Sequence, residues 1–379
     1  MTEKLYYKDA YTKEFSAEII SVTESDKGYD VVLDKTAFFP EEGGQSSDTG
    51  YIDDAKVVYV YESDGVIHHL TDKALPMGKV NCKIDFDDRF EKMQCHTAEH
   101  ILCGIIHSLF GFDNVGFHLG ADEVTFDVNG VLDREQLNRV EELANKAVFS
   151  NLEVEAYFPT PNQLSTFEYR AKLDITEGVR LIKIGDVDIC ACCAPHVSKT
   201  GEIGLIKILD FMKHRGGTRI WMVAGKRALR DYTARYDNIK RISAMLCTPQ
   251  LETAATLESY IADSEAAKAS LKLAKIKIAE LEAERVENAE ANAVYLLPDF
   301  TNPELIAFSN IANKKIKGML VALSGVENDY KYVISSNSVD LRSKSKDINS
   351  ALCGRGGGRP EMIQGSFNTS IDKIKEYFK

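Results

Sequence analysis

His96-Thr97-Ala98-Glu99-His100 and Cys192-Cys193-Ala194-Pro195-His196 decide how this 379-residue chain is read. Two histidines four apart on a helix project from one face, so both rings can reach one ion. The second stretch adds a thiol and another imidazole, and a His/His/Cys/His set suits tetrahedral zinc. Because the two halves lie far apart in sequence, a shared ion pins separate parts of one fold. Neither half is specific alone, since histidines at this spacing also occur on ordinary helix faces. Cys190 and Cys193 compete with Cys192 as the ligating sulfur, and His107, two turns beyond His100, reads as packing. Four protein ligands ordinarily close a structural site, whereas a catalytic site keeps a position open. Spacing alone leaves both readings standing.

Outward from the histidines, Phe90, Met93, Ile101, Leu102, Ile105, Ile106 and Leu109 recur at helical spacing, predicting a helix over 87–110 that Gly111 ends. Strands are expected at 125–128, 152–158, 179–184, 204–211 and 219–223, with a helix at 133–150. Residues 85–224 therefore read as an α+β domain, with Cys192 and His196 in a connection between two strands. Upstream, 17–22 and 29–33 flank the turn Ser25-Asp26-Lys27-Gly28, and 51–61 and 66–70 flank Ser63-Asp64-Gly65. Residues 1–84 are expected to form a small β-barrel. Downstream, 225–293 reads as helix. Leu257, Ser264, Leu271 and Ile278 share one heptad position, and Tyr260, Ala267, Ala274 and Leu281 another. That imperfect seam fits a helical linker or short coiled coil, with a solvated spacer helix preferred. Residues 294–379 form a last unit of alternating helices and strands. The fold class is thus α+β multidomain.

Composition bounds the function. The net charge of −12 argues against indiscriminate coating of nucleic acid. Residues 296–379 carry 12 Lys/Arg against 9 Asp/Glu, a mildly basic unit on an acidic body, which permits a local RNA contact. No apolar run approaches the roughly 20 residues that span a bilayer. The start lacks a signal-peptide core, and the cysteines show no disulfide framework. A cytoplasmic protein without membrane association is expected.

Two glycine-bearing stretches remain. Thr36 to Gln45 contains Gly43-Gly44, which lets backbone approach a ligand, and Gln45 offers a donor and an acceptor. A simple turn is the bland alternative. Gly354-Arg355-Gly356-Gly357-Gly358-Arg359-Pro360 reads as a loop whose N–H groups and arginines could cradle phosphate. It lacks the Lys-Ser/Thr ending of a P-loop, so nucleotide hydrolysis is not indicated.

The ordered set TAFFPEEGGQ (36–45), DRFEKMQCHTAEHIL (88–102), GFHLGADEVTFD (116–127), CACCAPHV (190–197) and RGGTRIWMVAGKRAL (215–229) resembles the editing region of alanyl-tRNA synthetase. It is most similar to the freestanding, AlaX-type alanyl-tRNA editing family in its long form. GRGGGRPEMIQG (354–365) resembles the family's C-terminal, DHH-associated α/β domain. The barrel signature starts within a few residues of Met1, which leaves no room for an adenylation core and implies no aminoacylation.

The resemblance implies an aminoacyl-tRNA deacylase, a carboxylic ester hydrolase. Its substrate would be tRNA(Ala) mischarged with serine or glycine. It implies one zinc ion per chain on His96, His100, Cys192 and His196, with Thr36, Gln45 and Arg219 at the pocket. Thr36 would read the serine hydroxyl. Arg355, Arg359, Lys314, Lys315 and Lys317 are expected to contact tRNA, and the C-terminal region could also serve a homodimer. Two departures from the family pattern stand out. Cys193-Ala194-Pro195 replaces Gly-Gly-Thr, and Glu42 replaces the first of three glycines. A zinc-stabilised tRNA-binding module without catalysis, or a zinc hydrolase of small esters, are the competing readings.

Overall fold

The alternation of apolar and polar residues before residue 85 builds strands that bury one face each. In the computed structural model, which describes residues 1–120, 122–171 and 178–379, six of them hydrogen-bond in a closed ring. Their order is Glu14–Ser25, Gly28–Leu33, Val66–Thr71, Ala55–Ser63, Gly50–Ile52 and Lys79–Ile84, which returns to the first. Val31, Leu33, Phe38, Ile52, Val57, Val60 and Ile67 fill the interior. The single strand expected at 51–61 is two. Asp53, at φ 48°, turns the chain so that Ile52 pairs with Ala55. Lys79–Ile84 was not expected, although Val80, Cys82 and Ile84 alternate inward.

Inside the ring lies a polar pair. The Thr36 hydroxyl donates to His69 Nε2 at 2.9 Å, while His69 Nδ1 donates to the Val31 carbonyl at 3.0 Å. Burial pushes the His69 pKa down to about 4. A histidine in the unfolded chain, near pKa 6.5, therefore binds its proton first. The associated stability is complete above pH 6.5 and is lost as pH falls toward 4, by on the order of 3 kcal/mol. Urea titrations between pH 7 and 4 should show wild type losing stability more steeply than His69→Gln.

The helix Phe86–Phe110 starts at Asp85, whose carboxylate caps Asp88 N–H, and stops at Gly111 with φ 71°. It is buried along most of its length, packed on the helix Arg134–Phe149 and a four-stranded antiparallel sheet. That sheet runs Ile206–His214, Gly217–Ala224, Val124–Val128, Asn114–Leu119. A second sheet runs Val154–Tyr157, Leu181–Ile184, Asp188–Ala191, so its last strand delivers the chain directly to Cys192. Ring and helix are joined by a buried ion pair. Arg89 Nε bonds both Asp48 oxygens at 2.9 and 3.0 Å, and its Nη2 bonds Asp48 and the Ala37 carbonyl. Asp48 also accepts the Phe39 N–H.

The chain divides into two compact units, Met1–Ile239 and Lys240–Lys379. In the second, the helix Thr253–Glu284 buries Ala279 and Ala283 near its end, against Leu305, Phe308 and Ala312. The heptad residues Leu257, Tyr260, Leu271, Ile278 and Leu281 are exposed. A five-stranded sheet follows in the order Ala293–Leu296, Leu320–Val326, Asp329–Ser335, Met362–Phe367, Gly354–Arg359. The expected loop at 354–360 is thus mostly an edge strand. Its glycines allow close approach: a Cβ on Gly356 would meet the Gln364 carbonyl at 2.3 Å, and one on Gly358 the Met362 carbonyl at 2.3 Å. Among the described residues, no helix is long and apolar enough to cross a membrane.

Candidate metal centre and its cavity

Helical spacing sets His96 and His100 side by side on the buried helix, and the turn after Asp188–Ala191 brings Cys192 and His196 to them. The ligand atoms of these four residues lie within 4.8 Å of one another. Cys192 Sγ is 3.6 Å from His96 Nε2 and 3.4 Å from His196 Nε2. Tetrahedral zinc, with bonds of about 2.0 Å to nitrogen and about 2.3 Å to sulfur, separates such donors by about 3.5 Å, so the donor set fits.

Each imidazole is also held from behind. His96 Nδ1 donates to Gln45 Oε1 at 2.8 Å. Thr97 donates to the Met93 carbonyl and so accepts from His196 Nδ1 at 3.0 Å. His100 Nδ1 meets Asp188 Oδ2 at 3.2 Å, and Asp188 is clasped by Arg170 through two 2.8 Å bonds. All three rings are thereby fixed with Nε2 free to bind, the usual outer shell of a histidine metal site. Burial opposes ionisation of the Cys192 thiol. Even so, His96, His196 and the hydrogen bond from His100 hold it well below the ordinary range, as a ligating thiolate requires.

Of the competing sulfurs, Cys190 groups with His100 and Asp188 instead. Cys193 turns toward the glycine loop, where a Cβ on Gly43 would sit 3.6 Å from its sulfur, and burial pushes its thiol up. Gly44, at φ 86°, lies so close to Phe117 that a Cβ would meet that carbonyl at 2.5 Å. The loop thereby docks on the strand Asn114–Leu119.

His96, His100 and Cys192 line a cavity of about 470 Å³. Its walls include Tyr7, Glu42, Glu99, Asn114, Tyr169, Arg170 and Arg180. Arg180 Nη1 donates to the carbonyls of Cys192 and Ala194 at 2.9 and 2.8 Å, fixing the ligand loop. Gln45 joins the metal group through His96, with its own Nε2 buried and without a partner among the described residues.

Thr36, Gln45 and Arg219, all expected at the pocket, are not among the cavity's lining residues. The Thr36 hydroxyl is spent on His69 and on accepting the Phe38 N–H. Arg219 makes a two-pronged pair with Asp127 at 2.7 and 2.8 Å. His107, expected to pack, is exposed and bonds Asp113, because the helix face turns to solvent in its last turn. Lys315 caps the helix Thr253–Glu284 through the Glu284 and Val286 carbonyls, and Lys317 pairs with Glu290. Arg355 and Arg359 are exposed on the edge strand, while Lys314 adjoins Lys315 in a short 3-10 turn.

Sequence reading missed Thr97, Asp188, Arg170 and Arg180. Only Thr97 carried a signal, its place between the two histidines.

Residues 179–243 match the threonyl and alanyl tRNA synthetase second additional domain, and residues 2–87 match tRNA synthetases class II (A). The alanyl-tRNA editing protein AlaX-L of Pyrococcus horikoshii is 29% identical over the whole of both chains. The chain fits a freestanding AlaX-type editor. Alanine–tRNA ligases of Natronomonas pharaonis and Pyrococcus furiosus are 31% and 30% identical over 99% of this chain. The chain spans only 43% of either ligase, whereas it covers AlaX-L end to end. The C-Ala domain of Aquifex aeolicus alanyl-tRNA synthetase aligns with 24% of the chain at 19% identity and a TM-score of 0.21.

Proposed function

We propose that this AlaX-type chain is a trans-editing hydrolase that deacylates tRNA(Ala) mischarged with serine or glycine. One zinc ion would be held by His96, His100, Cys192 and His196. The observation that carries the reading is the cavity: three of the four donors form its wall, where a purely structural metal would be sealed in the core.

Bound there, zinc would supply Lewis-acid polarisation of the ester. The protein's own groups do the rest. Asp188, Thr97 and Gln45 hold the imidazoles, and Arg180 keeps the 192–194 loop rigid. Gln45 is fully buried and does not line the cavity, so it would act through its bond to His96 rather than on the substrate. With Thr36 and Arg219 committed to other partners, their role at the pocket would be support rather than direct contact. Deacylation assays on Ser-, Gly- and Ala-tRNA(Ala) test the reading. A binding module would hydrolyse none of them, and a general esterase would hydrolyse free aminoacyl esters equally well.

The exposed Arg355 and Arg359, with Lys314, are the proposed tRNA contacts of the C-terminal unit, and Lys315 and Lys317 are assigned there more weakly because both are already paired. Each phosphate contact adds roughly 0.7–0.9 to the salt dependence of binding. The double variant Arg355→Ala/Arg359→Ala should therefore lower the slope of log affinity against log salt by roughly 1 to 2. An unchanged slope would leave self-association as that unit's role.

A further inference from the structure

Glu99 lies in the helix turn between His96 and His100, lines the cavity, and is 3% exposed. It stands outside both groups of metal-ligating side chains. Its Oε1 accepts from the Asn114 amide and from the Cys103 thiol, both neutral donors. Among the described residues, the other acids near the cavity are differently placed. Asp188 is neutralised by Arg170, Asp113 is exposed and bonds His107, and Glu42 sits at the exposed rim. A buried carboxylate whose partners are neutral is costly by itself and complementary to a cation.

The proposed substrate carries such a cation. An aminoacyl ester has a free α-ammonium, and a cavity holding a divalent ion beside Arg180 would repel it unless an anion faced it. Serine, glycine and alanine share that ammonium, so this contact would anchor the aminoacyl group without choosing among them. An N-acylated ester has no such charge.

We propose that Glu99 receives the α-ammonium of the aminoacyl ester, so that the cavity accepts esters of free amino acids and rejects N-blocked ones such as peptidyl esters. This rests on the hydrolase reading above. The test compares the full-length wild type and Glu99→Gln on Ser-tRNA(Ala) and N-acetyl-Ser-tRNA(Ala), each rate normalised to spontaneous hydrolysis. Wild type should favour the free amine by about 30-fold in kcat/KM, the scale of a charged hydrogen bond. Glu99→Gln should lose about that factor on the free amine, mainly in KM, and stay within about twofold on the acetylated ester. Equal wild-type rates on the two esters overturn the assignment without touching the hydrolase reading, and this arm needs no variant to fold. A Glu99→Gln that binds zinc normally but slows both esters equally also overturns it, making Glu99 a general base or scaffold. Wild-type inactivity on both esters overturns the hydrolase reading itself.

Discussion

Cys192→Ala should lower deacylation of Ser-tRNA(Ala) by on the order of 1,000-fold, because Lewis-acid polarisation is worth several kcal/mol. Cys192 is the one thiol within reach of all three imidazoles, and its ionised form is held by them. Neighbouring Cys190 groups with His100 and Asp188 but not with His96 or His196, so it does not complete the set. Metal analysis alongside single-turnover kinetics would check the result. Wild-type rates in metal-free Cys192→Ala would refute a metal-dependent step. The supporting residues should matter less. Asp188→Ala orphans both His100 and Arg170 and should weaken metal affinity by about 10- to 100-fold, the usual cost of an outer-shell partner.

Asp48→Ala should cost the amino-terminal unit about 3–5 kcal/mol, since it leaves a buried guanidinium without its counter-charge. Arg89 is fully buried and reaches three segments at once: the Ala10 carbonyl, the Ala37 carbonyl and Asp48. Removing Asp48 also frees the Phe39 N–H. Removing both charges together with an apolar replacement should be milder than either single change, because the desolvation cost of the surviving ion disappears. Denaturant unfolding of Asp48→Ala, Arg89→Met and the double variant would read this directly. Additive losses would show that the two side chains act separately.

The buried helix at 86–110 was legible in the sequence because its apolar positions repeat at one period over many turns, with Gly111 marking its end. The four donors were legible by spacing, but which sulfur joined them was not. Cys190, Cys192 and Cys193 sit in one short run, and only the turn after residue 191 aims Cys192 at the histidines. Short strands were less legible. Asn114–Leu119 has polar or glycine residues at half its positions, so its apolar pattern is weak, and it is held by antiparallel pairing with the next strand, Val124–Val128. The glycine-rich run at 354–359 reads as loop by composition. Its glycines instead permit tight pairing with Met362–Phe367, which is a tertiary reason. Asp188 and Arg180 are ordinary charged residues in sequence and gain meaning only when folding sets them behind His100 and the 192–194 carbonyls.

On the proposed function, the His96, His100, Cys192 and His196 group serves ester hydrolysis in the adjoining cavity. The most direct measurement is the rate of Ser-tRNA(Ala) deacylation by the full chain, as isolated, after metal removal by chelation, and after restoring zinc. Loss on chelation and recovery with zinc, with Ala-tRNA(Ala) left intact throughout, is the predicted result. Undiminished deacylation by the verified metal-free protein would contradict it.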